Sequence, residues 1–336
     1  GATTGKVAKV ETQKLFTIWS PLAVFRVEPQ RCYYEYLYYF IQSDAYQKQI
    51  ENKWTYGTQQ NIGMRTLEKL MICFPSITQQ KLIADYLDSK CSKIDEIIEK
   101  QRAIIEKLKE YKFSIITEAV TKGINPDVEL KDSTIDMCEQ IPVHWSISQN
   151  RYLFSLRDEK NYKPLEEVRL LSLYTDLGVF PHGEQEERGN KAVKAEGYKV
   201  VYENDIVVNI ILAWMGAIGR SAYDGVTSPA YDIYKPNENV CSRYYHYLYR
   251  TKPFSAECYK YGRGIMAMRW RTYSSEFKSI KVPVPPYIEQ CQIADYLDSK
   301  CEMLDKTITD RNKAIDKLQE YKKSLIYEGV TGKKEV

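Results

Sequence analysis

"IADYLDSKC" at residues 83–91 is repeated letter for letter at residues 293–301. At the same offset of 210, positions 83–121 and 293–331 agree at 22 of 39 places. The first copy runs on into "KLKEYKFSIITEAVTK" and the second into "KLQEYKKSLIYEGVTGK". The period is far too long for a solenoid unit. It describes a two-fold duplication of something large, a pseudo-dimer on one chain.

Both copies read as long helices. Leu87, Cys91, Ile94, Ile98, Gln101, Ile105, Leu108, Lys112, Ile115 and Ala119 recur at alternating steps of four and three. Leu297, Cys301, Leu304, Ile308, Arg311, Ile315, Leu318, Lys322, Leu325 and Gly329 fall on the same frame. That spacing is the seam of a coiled coil. The polar breaks coincide: Gln101 stands with Arg311, and Lys112 with Lys322. No proline interrupts either segment; Gly123 and Pro126 stop the first, and Gly332 ends the second. Some 39 helical residues extend roughly 58 Å, and an apolar stripe of that length needs a partner. The other copy is the obvious one, pairing through Leu87, Ile94, Ile98, Ile105, Leu108, Leu297, Leu304, Ile308, Ile315 and Leu318; packing of each helix on its own domain is the alternative.

A Pro-marked, strand-like stretch precedes each helix, "LEKLMICFPSITQQ" (67–80) and "FKSIKVPVPPYIEQ" (277–290). Further upstream the likeness loosens. "SPLAVFRVEP" (20–29) is similar to "SPAYDIYKPN" (228–237), "YYEYLYYFIQS" (33–43) to "RYYHYLYRTKP" (243–253), and "GATTGKVAKV" (1–10) to "WMGAIGRSAY" (214–223). A whole unit is therefore duplicated, a globular domain followed by a helix. The helices diverged little and the globular parts much, so the helices share one task while the domains perform different ones. About 75 residues before Met215 have no equivalent in the first copy, and the front of that domain is expected to be missing.

This places the first domain at 1–80, its helix at 81–122, a polar Pro- and Gly-bearing linker at 123–140, the second domain at 141–285 and its helix at 286–336. The expected class is α+β: two mixed α/β domains, the first partial, separated by two long helices paired as an antiparallel coiled coil. With 43% hydrophobic and 28% charged residues the composition is globular. No apolar run approaches membrane length. Eight cysteines without a C-x-x-C pair read as reduced thiols of a cytoplasmic protein. Three scattered histidines argue against a zinc or histidine-based catalytic site, and a net charge of +3 decides nothing about partners.

These residues resemble a known family. "PPYIEQCQIADYLDSK" with its trailing "KLQEYKKSLIYEGVTGK", and "PSITQQKLIADYLDSK" with "KLKEYKFSIITEAVTKG", are similar to the conserved region of the specificity subunit of Type I restriction-modification enzymes. "EQIPVHW" (139–145) resembles the opening of that family's second target-recognition domain, and "YGTQQNIGMRTLEKLMICFP" (56–75) the end of such a domain. "DMCEQIP" departs from the usual aromatic-glycine entry. The resemblance implies a non-catalytic subunit that reads a bipartite duplex DNA target, one half per domain, with the helix pair as spacer. It implies methyltransferase subunits docked around the helices and a restriction/translocase subunit joining them; a second copy of the chain is a further possible partner. No cofactor, metal or membrane is implied. A coiled-coil assembly adaptor without DNA specificity is the alternative. The physics suits the first reading, because half-sites one helical turn apart, near ~34 Å, need reading heads at fixed spacing.

Residues 252–281, "KPFSAECYKYGRGIMAMRWRTYSSEFKSIK", hold seven Lys/Arg against two Glu with six aromatics interleaved. Lys and Arg supply phosphate contacts, and Arg reads guanine bidentately. The candidates are Tyr261, Arg263, Arg269 and Arg271, with Trp270 beside them either at the site or in the core. Solvated or intradomain roles are the alternative for the arginines. The matching stretch of the first domain is "KWTYGTQQNIGMR" (53–65), where Gln59, Gln60 and Asn61 can pair with adenine and Arg65 follows; polar residues near a glycine are also ordinary turn formers. The two loops are expected to differ in length by about five residues. The Tyr clusters at 33–39 and 244–249 read as the packed face of a helix rather than a stacking platform. Residues 186–199 read as a solvated loop or hairpin. "GATTGK" (1–6) is one residue short of a Walker loop and lacks its Ser/Thr. No G-x-G-x-x-G follows a strand, and "NPDV" (125–128) lacks the aromatic pair of an adenine methyltransferase. No catalytic residue is expected.

Overall fold

The computed structural model describes residues 4–12, 14–19, 22–53, 62–175, 177–183, 194–265 and 270–336. It forms two compact units, one of residues 1–107 with 306–336, the other of residues 108–305.

In the first unit, α1 (Tyr34–Gln42) and α2 (Asp44–Glu51) precede a short α3 (Met64–Leu67) and the long α4 (Ile77–Lys122). α1 forms because Tyr36, Leu37, Tyr39, Phe40 and Ile41 bury one side of it. α4 starts six residues before the sequence identity does. The cause is a capping box: Ser76 Oγ accepts from the Gln79 amide at 3.3 Å, and Gln79 Oε1 accepts from the Ser76 amide at 3.3 Å. At 46 residues, α4 is about 69 Å long. The stretch 67–80, expected to be strand-like, carries no strand among the described residues.

The second unit opens with the end of α4 and a hairpin, β1 (Leu130–Ile135) and β2 (Cys138–Pro142), followed by β3 (Ser146–Gln149), α5 (Asn150–Leu153) and β4 (Phe154–Arg157). The segment 123–140, read above as a linker, is thus folded from Leu130 onward. Ile135, Met137 and Ile141 are buried in the core of this unit, and the polar residues between them hid the pattern. Then come β5 (Leu171–Tyr174), β6 (Gly178–Pro181), β7 (Lys199–Val201), β8 (Ile206–Asn209), β9 (Ile218–Arg220), β10 (Gly225–Thr227) and β11 (Tyr231–Pro236). α6 (Ser242–Tyr249), α7 (Lys252–Tyr261), α8 (Ser274–Ser279), β12 (Lys281–Val284) and α9 (Tyr287–Val330) complete the order. The principal sheet is antiparallel in the order β4-β11-β8-β9, and β12 pairs antiparallel with β3. Phe154, Tyr234, Tyr244, Tyr245, Tyr249, Phe254 and Phe277 fill the core, together with Val120 from α4 and Leu297 from α9.

The β12–β3 pair explains the missing strand at 67–80. Lys281–Val284 is extended because Ser146–Gln149 lies beside it. Residues 71–74, its counterpart at offset 210, have no such neighbour among the described residues of their unit. A lone strand leaves its backbone groups unpaired and is not stable as such.

The seam residues pair within each unit. In the first, Gly329 lies against Leu87, Lys322 Nζ reaches Asp95 at 2.6 Å, and Arg311 Nη1 donates to Gln101 Oε1 at 2.6 Å. Numbers rise along α4 as they fall along α9, so the helices run antiparallel. Leu87, Ile94, Ile98, Ile105 and Ile315 are buried in one apolar cluster, with Ile308 and Leu318 packed against it. In the second unit Lys112 Nζ meets Asp305 at 2.6 Å, the same ion pair from the other copies, while Leu297 and Leu304 are buried and Leu108 is half-buried. The polar breaks are thus cross-helix contacts: each lysine lays its stem along the seam and carries its ammonium to an aspartate of the facing helix. Gly123 and Gly332 close the helices with φ of 81° and 71°, the left-handed C-cap that glycine supplies at low cost.

Candidate nucleic-acid interface

Each unit fixes its tyrosine-rich helix to its long helix by the same device. In the second, the buried Gln290 accepts from the Cys241 amide at 2.8 Å and donates to Pro285 O at 2.9 Å and toward Asn239 O at 3.5 Å. In the first, the buried Gln80 accepts from the Tyr33 amide at 2.8 Å and donates to Pro75 O at 2.9 Å and Arg31 O at 3.1 Å. Tyr244 OH donates to Val120 O at 2.8 Å, and Tyr36 OH donates to Val330 O at 3.2 Å. Tyr247 OH donates to Asp298 at 2.6 Å, and Tyr39 OH donates to Asp88 at 2.5 Å. The long helices correspond at offset 210 and the tyrosine helices at 208. The match of 33–43 with 243–253 is therefore shifted by two residues: α1 answers to 242–250. Each tyrosine cluster packs one face of its helix on the core, Tyr36 and Tyr39 in the first and Tyr244, Tyr245 and Tyr249 in the second, while Tyr34 is exposed.

This register equates α2 with α7 and α3 with α8. The segments between them, 52–63 and 262–273, are both twelve residues long, and 54–61 and 266–269 lie outside the described residues. The expected five-residue difference does not exist; the two-residue offset is taken up where α7 outlasts α2.

The 262–273 loop is closed at its base. Arg263 and Arg271 exchange backbone hydrogen bonds of 2.8 Å in both directions, and the buried Thr272 ties the loop to Ile210 O and Cys258 O. Trp270 stacks on Tyr259 with ring centres 4.8 Å apart, and Tyr259 meets Trp214 edge-on at 5.9 Å. Trp270 Nε1 donates to Tyr259 O at 3.0 Å. Gly262 is required there, since a Cβ would come within 2.4 Å of the indole nitrogen. Tyr261, at the end of α7, packs partly on the core. Ile265 is 92% exposed beyond the base. Arg263 is exposed, and its guanidinium pairs with the buried Glu276 of α8. Burial works to raise the Glu276 carboxyl; hydrogen bonds from Ser275 and the backbone, with Arg263, outweigh it and hold the group below its ordinary range. Glu276 thereby gives the exposed Arg263 a fixed partner.

Arg263 and Arg271 are thus brought together by their backbones, with Tyr261 just before them in the chain, and Arg269 lies outside the described residues. Arg65 is exposed on α3 of the first unit; Gln59, Gln60 and Asn61 lie outside the described residues. Sequence reading missed Glu276, Tyr259 and Trp214. Tyr259 sat inside the basic, aromatic stretch already singled out, whereas nothing in the chain announced Trp214, 45 residues upstream.

The fold is that of an α+β domain followed by a long helix, with the domain-and-helix unit written twice on one chain. The model of the Type I restriction modification DNA specificity domain matches residues 1–110 and 146–318, and the chain belongs to that family. Two solved structures are similar in fold. A chain from work on complex assembly and conformational transition of the type I R-M system gives a TM-score of 0.67 at 12% identity, over 91% of this chain and 73% of that one. The HsdS subunit from Thermoanaerobacter tengcongensis gives 0.50 at 13% identity, over 90% and 71%. Among the described residues no helix is long and apolar enough to cross a membrane.

Proposed function

We propose that the chain is the DNA-reading subunit of a Type I restriction-modification complex, with the 262–273 loop as one reading element and the 52–63 loop, followed by Arg65, as the other. The observation that carries this is the family match together with the 262–273 segment, where Arg263 and Arg271 close the base beside the stacked Tyr259 and Trp270, at a place equivalent to 52–63 of the first unit. The paired helices act as spacer between two half-sites, and methyltransferase and restriction subunits dock on the assembly. The chain itself performs no chemistry, and a second copy is a possible further partner. Phosphate contacts supply affinity; Arg263 and Arg271 supply base reading.

The test is selection from a randomised duplex pool by the chain bound to its methyltransferase subunit, at near-physiological salt so that non-specific phosphate binding does not dominate. Two short motifs at constant spacing are expected; an intact complex that enriches nothing would support the adaptor reading instead. Arg271→Ala should weaken binding to the selected duplex by about 1–3 kcal/mol and relax one position of one motif. A uniform loss across all sequences would make it a phosphate contact only.

A further inference from the structure

All eight cysteines are free thiols, and two of them meet. Cys241 is the buried N-cap residue of α6, and Cys291 is half-buried on the second turn of α9. Their side chains lie within hydrogen-bonding reach of each other, and Tyr287, one turn earlier on α9, approaches the Cys291 sulfur as well. A buried cysteine is ordinarily a small apolar filler. Two thiols that face each other from separate elements can also become a covalent link.

The backbone holds them there. The clasp from the Cys241 amide to Gln290 Oε1, at 2.8 Å, ties Cys241 to the residue just before Cys291. The duplication supplies an independent check. Cys241 answers to Tyr33 at offset 208, and Cys291 answers to Lys81 at offset 210. The same clasp joins Gln80 to the Tyr33 amide at 2.8 Å, and Lys81 Nζ lies over the Tyr33 ring, 5.9 Å from its centre. The joint therefore turns these two positions toward each other in both units, with different residues in them. The second unit fills both with thiols; the first fills neither.

We propose that Cys241 and Cys291 form an oxidation-sensitive latch, closing to a disulfide that fixes α6 to α9 when the chain meets hydrogen peroxide. Cys291, the more exposed, reacts first. Its sulfur attacks the peroxide, the O–O bond breaks, and a sulfenic acid forms as the thiol proton leaves with the departing hydroxide as water. The Cys241 sulfur then displaces that hydroxyl, the S–S bond forms, and the Cys241 proton leaves in a second water. Two electrons pass from the two thiols to the peroxide, and an external dithiol restores them by exchange. Burial, then contact with Cys241, holds the Cys291 thiol above its ordinary range against the opposing pull of Tyr287 and Arg243, so the pair rests reduced and closes slowly at neutral pH. The latch acts on one half of the duplication and does not depend on DNA reading.

The test treats the intact chain with hydrogen peroxide, alkylates the remaining thiols in denaturant, digests without reductant and maps the peptides by mass spectrometry. A Cys241–Cys291 linked peptide is expected, lost on treatment with dithiothreitol and absent from Cys291→Ser. Hydrogen exchange at the Cys241 amide should slow by about tenfold or more in the oxidised chain and recover on reduction. Cys291→Ser under the same oxidant should show no slowing. Recovery of both cysteines unlinked, as alkylated thiols or sulfinic acids, would overturn the proposal. So would links from Cys241 to Cys138 or Cys301 formed as readily, or a Cys241–Cys291 link that leaves exchange at the Cys241 amide unchanged.

Discussion

Gln290→Leu probes the joint between the recognition domain and its helix. Two firm hydrogen bonds are lost, from the Cys241 amide at 2.8 Å and to Pro285 O at 2.9 Å, and the contact to Asn239 O at 3.5 Å is marginal. Each stranded buried backbone group costs about 1–3 kcal/mol, so two cost about 2–6 kcal/mol. The apolar leucine side chain offsets roughly 1–2 kcal/mol of that by burial. A net loss of about 1–4 kcal/mol is expected. Native-state hydrogen exchange at the Cys241 amide reads this locally, without requiring whole-chain unfolding to be two-state. Gln290→Glu sharpens the test. The carboxylate still accepts from Cys241 but faces the Pro285 carbonyl without a proton to donate. Its folded pKa should therefore rise above the ordinary glutamate value near ~4.3. The unfolded chain then releases the proton first as pH rises, so the penalty is present at neutral pH and fades as pH falls through the raised pKa. A leucine variant within about 0.5 kcal/mol of the parent, or a glutamate variant whose deficit ignores pH, would refute the reasoning.

The seam, the Arg157–Asp205 ion pair and His246 give three further expectations. Ile98→Lys with Ile308→Lys places two charges in one seam and should abolish helix pairing, seen as loss of cooperative melting and of assembly with the methyltransferase subunit; retained assembly on the same DNA sites would contradict the spacer role. Asp205 is 1% exposed and accepts from two Arg157 nitrogens at 2.8 and 3.1 Å and from the Tyr202 amide at 2.9 Å; in Asp205→Ala the partly exposed Arg157 keeps Glu159 at 3.8 Å and the Tyr202 ring, so the loss should be about 1–3 kcal/mol in chemical denaturation. His246 accepts from the Arg220 amide at 3.1 Å, and burial, then Arg250 and Arg220, push its pKa down to about 3. Between about pH 6 and 3 the unfolded chain binds a proton that the folded one refuses, so stability falls with pH by up to ~1.4 kcal/mol per unit, and His246→Gln should flatten that part of the profile.

The helices were legible because one physical pattern, a seam buried every three or four residues, survives in both copies. Even its polar interruptions carried information: Lys112 and Lys322 looked like breaks and are the cross-helix ion pairs. The glutamine clasps were not legible. Gln80 and Tyr33 are 47 residues apart, and Gln290 and Cys241 are 49 apart. The intervening change of two residues moved the tyrosine helices out of the register that the long helices suggest. The 130–142 hairpin escaped because its three buried apolar residues are separated by charged ones. At the loops, composition marked the right stretch, but the arrangement of Trp214, Tyr259 and Trp270 depends on segments that only the fold brings together.

The pattern of divergence follows from these contacts. A seam residue faces the other copy, so a change on one helix must suit its partner. Asp95 with Lys322 and Asp305 with Lys112 are one pair written twice, and both spellings persist. Where the copies differ in the seam, a facing contact explains the tolerance: Gln101 and its counterpart Arg311 bond to each other at 2.6 Å. Gly329 admits Leu87, whose atoms lie 3.3–3.6 Å from where a Cβ would stand, and its counterpart Ala119 is the next smallest residue. The loops answer to no such partner. Tyr36 and Tyr244, Gln80 and Gln290 must keep their bonds, whereas the 262–273 segment is held by contacts of its own unit alone, so it can diverge without regard to the other copy. A duplicated chain built this way holds its two reading heads by one conserved set of joints. Unlike a symmetric dimer, it does not require them to read the same sequence.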